Sequence, residues 1–158
     1  MNQPAKLPAG CDLDAVEWMQ LAGGPEFDYP IDYAYAVAGA DPQAGHIELL
    51  VRWQPGAYCH YHRHLGRTAA TVLEGEQHIV EERDFETVHK VREAGFQGAI
   101  ADGDVHMEYA GPAGLTMLFS IDAPDGRLFD LLDRQGNTLL EVSIMDFVER
   151  RLGIAQAG

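Results

Sequence analysis

From residue 31 onward, glycine- and proline-containing turns cut the chain before any apolar run grows long, and this punctuation limits what it can build. Residues 31–37 read as a strand, ended by Gly39-Ala40-Asp41-Pro42. Residues 45–53 form the next, closed by a Pro55-Gly56 turn. Residues 68–73 and 77–81 read as strands on either side of a turn at Glu74-Gly75-Glu76, and 86–91 as another short strand. Residues 95–100 lead to a turn at Asp102-Gly103-Asp104, and 105–109 and 115–121 flank a turn at Gly111-Pro112-Ala113-Gly114. Residues 128–132 and 138–142 flank Asp133-Arg134-Gln135-Gly136-Asn137, a hairpin turn. Helical spacing appears late, over 143–152, with Ser143 as N-cap, Asp146 three residues on as its capping-box partner, and Gly153 as the stop. Many short strands and one late helix predict an all-β sandwich or barrel with a short C-terminal helix.

The 158 residues make one domain. Within it, residues 1–30 read as an N-terminal arm, 31–142 as the β-barrel and 143–158 as the C-terminal helix and tail. In the arm, 12–21 suits a short strand or a helical turn before the break at Gly23-Gly24-Pro25. Trp18 and Leu21 are its apolar anchors, with little core of their own. They would pack on the body or on a partner subunit, and a homodimer is expected.

Twenty-five acidic against 11 basic residues leave a formal charge of −14. Nucleic acid and anionic membranes are therefore unexpected partners, since both need a basic surface. No stretch of ~18 apolar residues occurs, so no membrane span is expected, and the N-terminus has no signal-like apolar run. The two cysteines, Cys11 and Cys59, lie far apart, which suits a reduced, cytoplasmic compartment rather than a disulfide framework.

His60, His62 and His64 alternate just after the Pro55-Gly56 turn. On a strand they share one face, with Cys59, Tyr61 and Arg63 on the other. Three imidazoles on one face can converge on a cation, or form a solvated histidine patch. His46, His78 and His89 have no such constellation and read as ordinary surface or strand histidines.

Gly56, His62, His64, Thr68 and Gly75 stand at the spacing of the first conserved motif of the cupin superfamily, with Thr68 where that motif has a glutamate. Gly95, Ala101, Gly103, His106 and Ala110 resemble the second motif, with Ala101 for a usual proline and Ala110 for a usual asparagine. The resemblance implies a cupin jelly-roll barrel, the double-stranded β-helix, with a metal inside. It makes His62, His64 and His106 the metal ligands. His60 is then a fourth ligand or a group that orients the site or substrate. Glu108, two residues from His106 and on its face, is the candidate catalytic acid, or a buried, hydrogen-bonded carboxylate. Glu74 and Glu76 flank a turn and should face water. Tyr58, Met117 and Phe119 are candidate walls of a substrate pocket, or plain core.

Three neutral imidazoles without the glutamate leave a divalent ion its full charge, which favours a chelating enolate. The donor set suits Fe(II), the favoured ion, and also Zn, Ni or Cu. Within the superfamily the layout resembles small single-domain dioxygenases, acetylacetone dioxygenase and dihydroxyacetophenone dioxygenase, that cleave carbon–carbon bonds. The expected function is an iron(II) dioxygenase acting on a small-molecule diketone or hydroxyketone. The alternatives are a non-catalytic metal- or ligand-binding sensor, or a metal-dependent isomerase or hydrolase.

Overall fold

The computed structural model describes residues 12–22, 30–101 and 103–150. In order, the elements are β1 (Met19–Ala22), β2 (Asp32–Asp41), β3 (His46–Trp53), β4 (His62–His64), β5 (Arg67–Arg83), β6 (Glu86–Glu93), β7 (Gln97–Ile100), β8 (Val105–Asp122), β9 (Arg127–Leu132), β10 (Thr138–Ser143) and α1 (Ile144–Val148). The strands form one curled antiparallel sheet in the order β1-β2-β3-β8-β4-β9-β10, with β5 also joined to β8 and carrying β6 and β7.

Alternation builds the core. On β3, Ile47, Leu49, Val51 and Trp53 point inward, and opposite them on β8 stand Ile121, Phe119, Met117 and Leu115. Each such buried apolar side chain stabilises the fold by about 1.5–3 kcal/mol. Leu50, of the other parity, joins Ala36 and Leu118 in a patch outside the barrel, which Leu13, Val16 and Trp18 cover. The Arg52 guanidinium lies 4.3 Å over the Trp18 ring. Strand and turn both occur in this stretch: Val16 N–H reaches the Asp12 carbonyl in a turn, and β1 follows as a sheet edge. Both expected anchors are thus engaged within the chain, Leu21 wholly buried in the core and Trp18 on the outer patch. Residues 1–11 and the break at Gly23-Gly24-Pro25 lie outside the described residues.

The turns expected at Glu74-Gly75-Glu76 and at Gly111-Pro112-Ala113-Gly114 are not turns. β5 and β8 run straight through them, and the register jumps from Gln77↔Ala110 to Gly75↔Leu115, so Glu76 alone stands opposite the four residues from Gly111 to Gly114. Gly75 (φ 79) and Gly114 (φ 84) take the left-handed conformation that signals a turn in sequence. Here it makes a bulge, which bends a strand while keeping the ladder on both sides. The bend lets one strand serve two walls: the second half of β8 pairs with β3, and its first residues pair with β4.

The helix keeps its predicted start. Ser143 accepts from the Asp146 N–H, and the Asp146 carboxylate accepts from the Ser143 N–H, completing the capping box. It is shorter than expected, because Arg150 turns to φ 57 after Glu149. Gly153, the expected stop, lies outside the described residues. Ile144 and Phe147 are buried, and the Phe147 ring packs edge-on against Tyr35 with ring centroids 4.8 Å apart.

Candidate metal centre

Only His62–His64 of the histidine segment is strand. His62 stands directly opposite His106 in the β4–β8 ladder, and their ring centroids are 4.6 Å apart. The end of β4 is sewn to the turn before β8: His64 N–H donates to the Asp104 carbonyl (2.9 Å), and Gly103 N–H to the His64 carbonyl (2.7 Å). His62 Nε2 is 3.1 Å from His64 Nε2, which is 3.3 Å from His106 Nε2. All three residues are buried.

What each Nδ1 touches decides what the Nε2 atoms can offer. His62 Nδ1 lies 2.8 Å from the His60 carbonyl, which can only accept, so that nitrogen carries the proton. His106 Nδ1 likewise donates to Asp104 Oδ2 at 3.3 Å, and this bond holds the Asp104 carboxyl below its ordinary pKa. Thr68 donates its hydroxyl to the Gly66 carbonyl (3.1 Å), leaving an oxygen lone pair for His64 Nδ1–H at 3.4 Å. Burial, with the neighbouring His106, pushes His62 down to about 3, and burial also pushes His64 well down. With Nδ1 protonated and the rings neutral, the Nε2 lone pairs of His62 and His64 face each other and the Nε2 of His106. Such an array repels itself unless a cation sits among them, and imidazoles held at Nδ1 by outer acceptors are the arrangement of metal ligands. The three residues fit a divalent metal ion.

Glu108 stands beside this trio. Its Oε1 is 3.9 Å from His62 Nε2, and its Oε2 accepts from the Gln77 amide. With Cys59 and His62 it makes a second close group. Cys59 was expected on the far face and instead points inward, its Sγ 3.7 Å from His62 Nδ1. The reason is that 59–61 is not strand, so the neighbours Cys59 and His60 both line the same cavity. Burial, then the Glu108 charge, raise the Cys59 thiol well above its ordinary pKa. Among the described residues Cys59 is free, and Cys11 lies outside them. His60 shares the cavity but not the trio, and its Nδ1 lies 3.0 Å from Tyr33 Oη.

The cavity holds about 620 Å³, its open mouth included, and its walls are largely apolar. Of the three candidate pocket walls, Phe119 lines it. Met117 and Tyr58 do not: Met117 is wholly buried in the core, and Tyr58 lays its ring on Tyr109 at 4.8 Å. Glu74 is exposed, and Glu76 binds His78 at 2.5 Å, outside the site. His78 also meets His89, and His46 bridges Glu48 and Asp122. Sequence reasoning missed Asp104, Gln77 and the Tyr33–Tyr35–Trp53 wall. Asp104 had a signal, an Asp-x-His spacing that extends the His-x-Glu alternation from His106 to Glu108. Gln77 had none, because the expected turn at Gly75 hid its pairing with β8.

No protein-family model and no curated protein sequence matches the chain. Solved structures do. An RmlC-like cupin from Ralstonia eutropha JMP134 is 20% identical, with 96% of this chain and 94% of that one covered and a TM-score of 0.67. A proposed acetylacetone dioxygenase from Methylibium petroleiphilum PM1 is 14% identical, with 95% and 98% covered and a TM-score of 0.69. An acetylacetone dioxygenase from Acinetobacter johnsonii is 12% identical, with 95% and 93% covered and a TM-score of 0.66. At these identities the likeness speaks for fold. Together with the curled sheet and the one short helix among the described residues, it shows that the chain folds as a cupin β-barrel.

Proposed function

We propose that this chain is a metal-dependent cupin enzyme, an iron(II) dioxygenase that cleaves a carbon–carbon bond in a small diketone or hydroxyketone. The observation that carries the reading is the set of three buried imidazoles whose Nε2 atoms converge at the end of an apolar cavity that His62 and His64 line, with Thr68 in place of a ligating glutamate. Two fold relatives that bear the name acetylacetone dioxygenase add support. His62, His64 and His106 would hold the metal, which supplies Lewis acidity toward a chelated ketone and, as iron, redox capacity toward oxygen.

The chain's own residues supply the rest. Glu108, held by Gln77, takes the proton that leaves the carbon between two carbonyls, at Oε1 beside His62. The aromatic walls exclude water from the resulting anion. His60, tied to Tyr33, orients the substrate from the cavity side.

The test is oxygen uptake. Protein reconstituted anaerobically with iron(II) should consume oxygen when given acetylacetone or a hydroxyacetophenone, and the zinc form should bind the ketone without uptake. Flat traces across a panel of such ketones, with iron content verified, would leave a ligand-binding sensor. Equal turnover by the zinc form would place the chain among isomerases or hydrolases.

A further inference from the structure

Two residues of the cavity wall carry hydrogen-bond donors that serve nothing among the described residues. Tyr35 and Trp53 are each 2% exposed, both line the cavity, and Tyr35 Oη and Trp53 Nε1 have no hydrogen-bond partner among the described residues. Buried Tyr O–H and Trp N–H groups normally find a partner, and leaving one unmade costs about 1–3 kcal/mol. Two such groups on one wall call for a shared reason.

Their placement supplies one. In the β2–β3 ladder Tyr33 stands opposite Trp53 and Tyr35 opposite Val51, so Tyr35 and Trp53 are diagonal neighbours on one face. Diagonal aromatic side chains are within reach of each other. The Tyr33 ring stacks on Trp53 at 6.2 Å, and Phe147 braces Tyr35. The three imidazoles stand elsewhere in the barrel, on β4 and at the start of β8, across the bend of that strand. Phe129, whose ring lies 5.3 Å from that of His64, and Phe119 line the apolar remainder. No lysine or arginine lines the cavity among the described residues. Arg150, near enough to act on Tyr35, is exposed and already paired with Glu17. A second polar function received here is therefore an uncharged acceptor, because Trp53 Nε1 can only donate and no unpaired cation would balance a carboxylate.

We propose that Trp53 and Tyr35 form a second recognition point for the ligand, selecting neutral ketones whose apolar or aryl body carries a further acceptor oxygen beyond the chelating pair. This rests on the ketone reading of the metal site. It narrows that reading to ketones whose body carries a further acceptor oxygen at the far end. The ligand's far oxygen accepts from Trp53 Nε1 and Tyr35 Oη while its near oxygens meet the histidine end.

The test uses the full chain loaded with zinc, so that nothing turns over, and two probes of similar shape. One is a 1-aryl-1,3-butanedione with a para acetyl group, and the other has a para isopropyl group in its place. Dissociation constants are measured by calorimetry for the wild type, Trp53→Phe and Tyr35→Phe. The wild type should prefer the acetyl probe by about tenfold, the worth of one net hydrogen bond to an otherwise unmatched donor. Each variant should cut that preference to about threefold or less, whatever the smaller ring or lost hydroxyl does to the isopropyl probe's own affinity. Comparing each probe across the variants cancels the acetyl group's electronic effect on the diketone. Zinc stoichiometry and circular dichroism verify folding, and if one variant fails to fold the other carries the test. Binding of both probes without preference, or a preference that survives both substitutions, overturns the inference and leaves the ketone reading standing. If fully zinc-loaded protein binds neither probe, the ketone reading falls and takes this inference with it.

Discussion

At the scale of single residues, the three imidazoles are gripped at Nδ1 by three different acceptors: a backbone carbonyl, a threonine hydroxyl and a carboxylate. The gripping groups set the tautomers, and the tautomers aim the lone pairs. His62→Ala or His106→Ala should lose most of the bound metal, measured by elemental analysis of protein purified without chelator. Full stoichiometry in both variants would refute the assignment. Asp104→Asn keeps the shape but not the charge behind His106, and should weaken metal binding by about tenfold or more in a chelator competition. An unchanged affinity would mean that the ring is held by packing alone.

At the scale of elements, the long β5–β8 ladder decides the shape of the barrel, and Gly75 decides the ladder. A Cβ at Gly75 would run into the Gly114 carbonyl across the bulge, and the residue's φ of 79 already disfavours a side chain. Gly75→Ala should therefore cost about 2 kcal/mol or more in urea unfolding. Gly126 is the control. It has the same φ of 79, but nothing lies within 4 Å of an added Cβ. Gly126→Ala should cost only about 1 kcal/mol, the left-handed penalty alone. Equal losses would mean that the close approach at the bulge carries no weight.

At the scale of the whole molecule, 25 acidic residues leave few partners for one another, and His46 is a place where they find a cation. Its Nδ1 meets Asp122 at 2.7 Å and its Nε2 meets Glu48 at 2.8 Å. Both partners are carboxylates, so both nitrogens can donate only when the ring is charged. The bonds to Asp122, then Glu48, raise its pKa above the ordinary histidine value. The stabilisation is fully present below the unfolded value of about 6.5 and is lost as pH rises through the higher folded value. Wild type should thus lose more melting temperature than His46→Gln between about pH 6 and pH 9, read by thermal unfolding. Parallel curves would show that the ring does not titrate in that window. The homodimer remains a proposal. Its expected anchors, Trp18 and Leu21, are engaged within the chain, whereas Phe85 at the β5–β6 turn is fully exposed. Light scattering at micromolar concentration should give twice the chain mass, and a mass near 17.4 kDa would refute it.

Short-range patterns were legible from the amino-acid order alone. The strand alternation, the Asp133–Asn137 hairpin, the Ser143–Asp146 cap and the spacing that pairs His62 and His64 with His106 all depend on residues or motifs readable along the chain. Turn chemistry was legible too, but only as chemistry. A left-handed glycine marks a bend, and the register of the partner strand decides whether the bend reverses the chain, as at Gly136, or merely bulges it, as at Gly75. The facing of Cys59 was illegible because 59–61 leaves the strand, and outside a strand parity no longer assigns sides. The tautomer-setting contact of Thr68, the grip of Gln77 on Glu108 and the unpaired donors of Tyr35 and Trp53 were decided by packing. Each depends on atoms brought together by strands far apart in the chain, and no local periodicity encodes which polar atom a buried neighbour will leave without a partner.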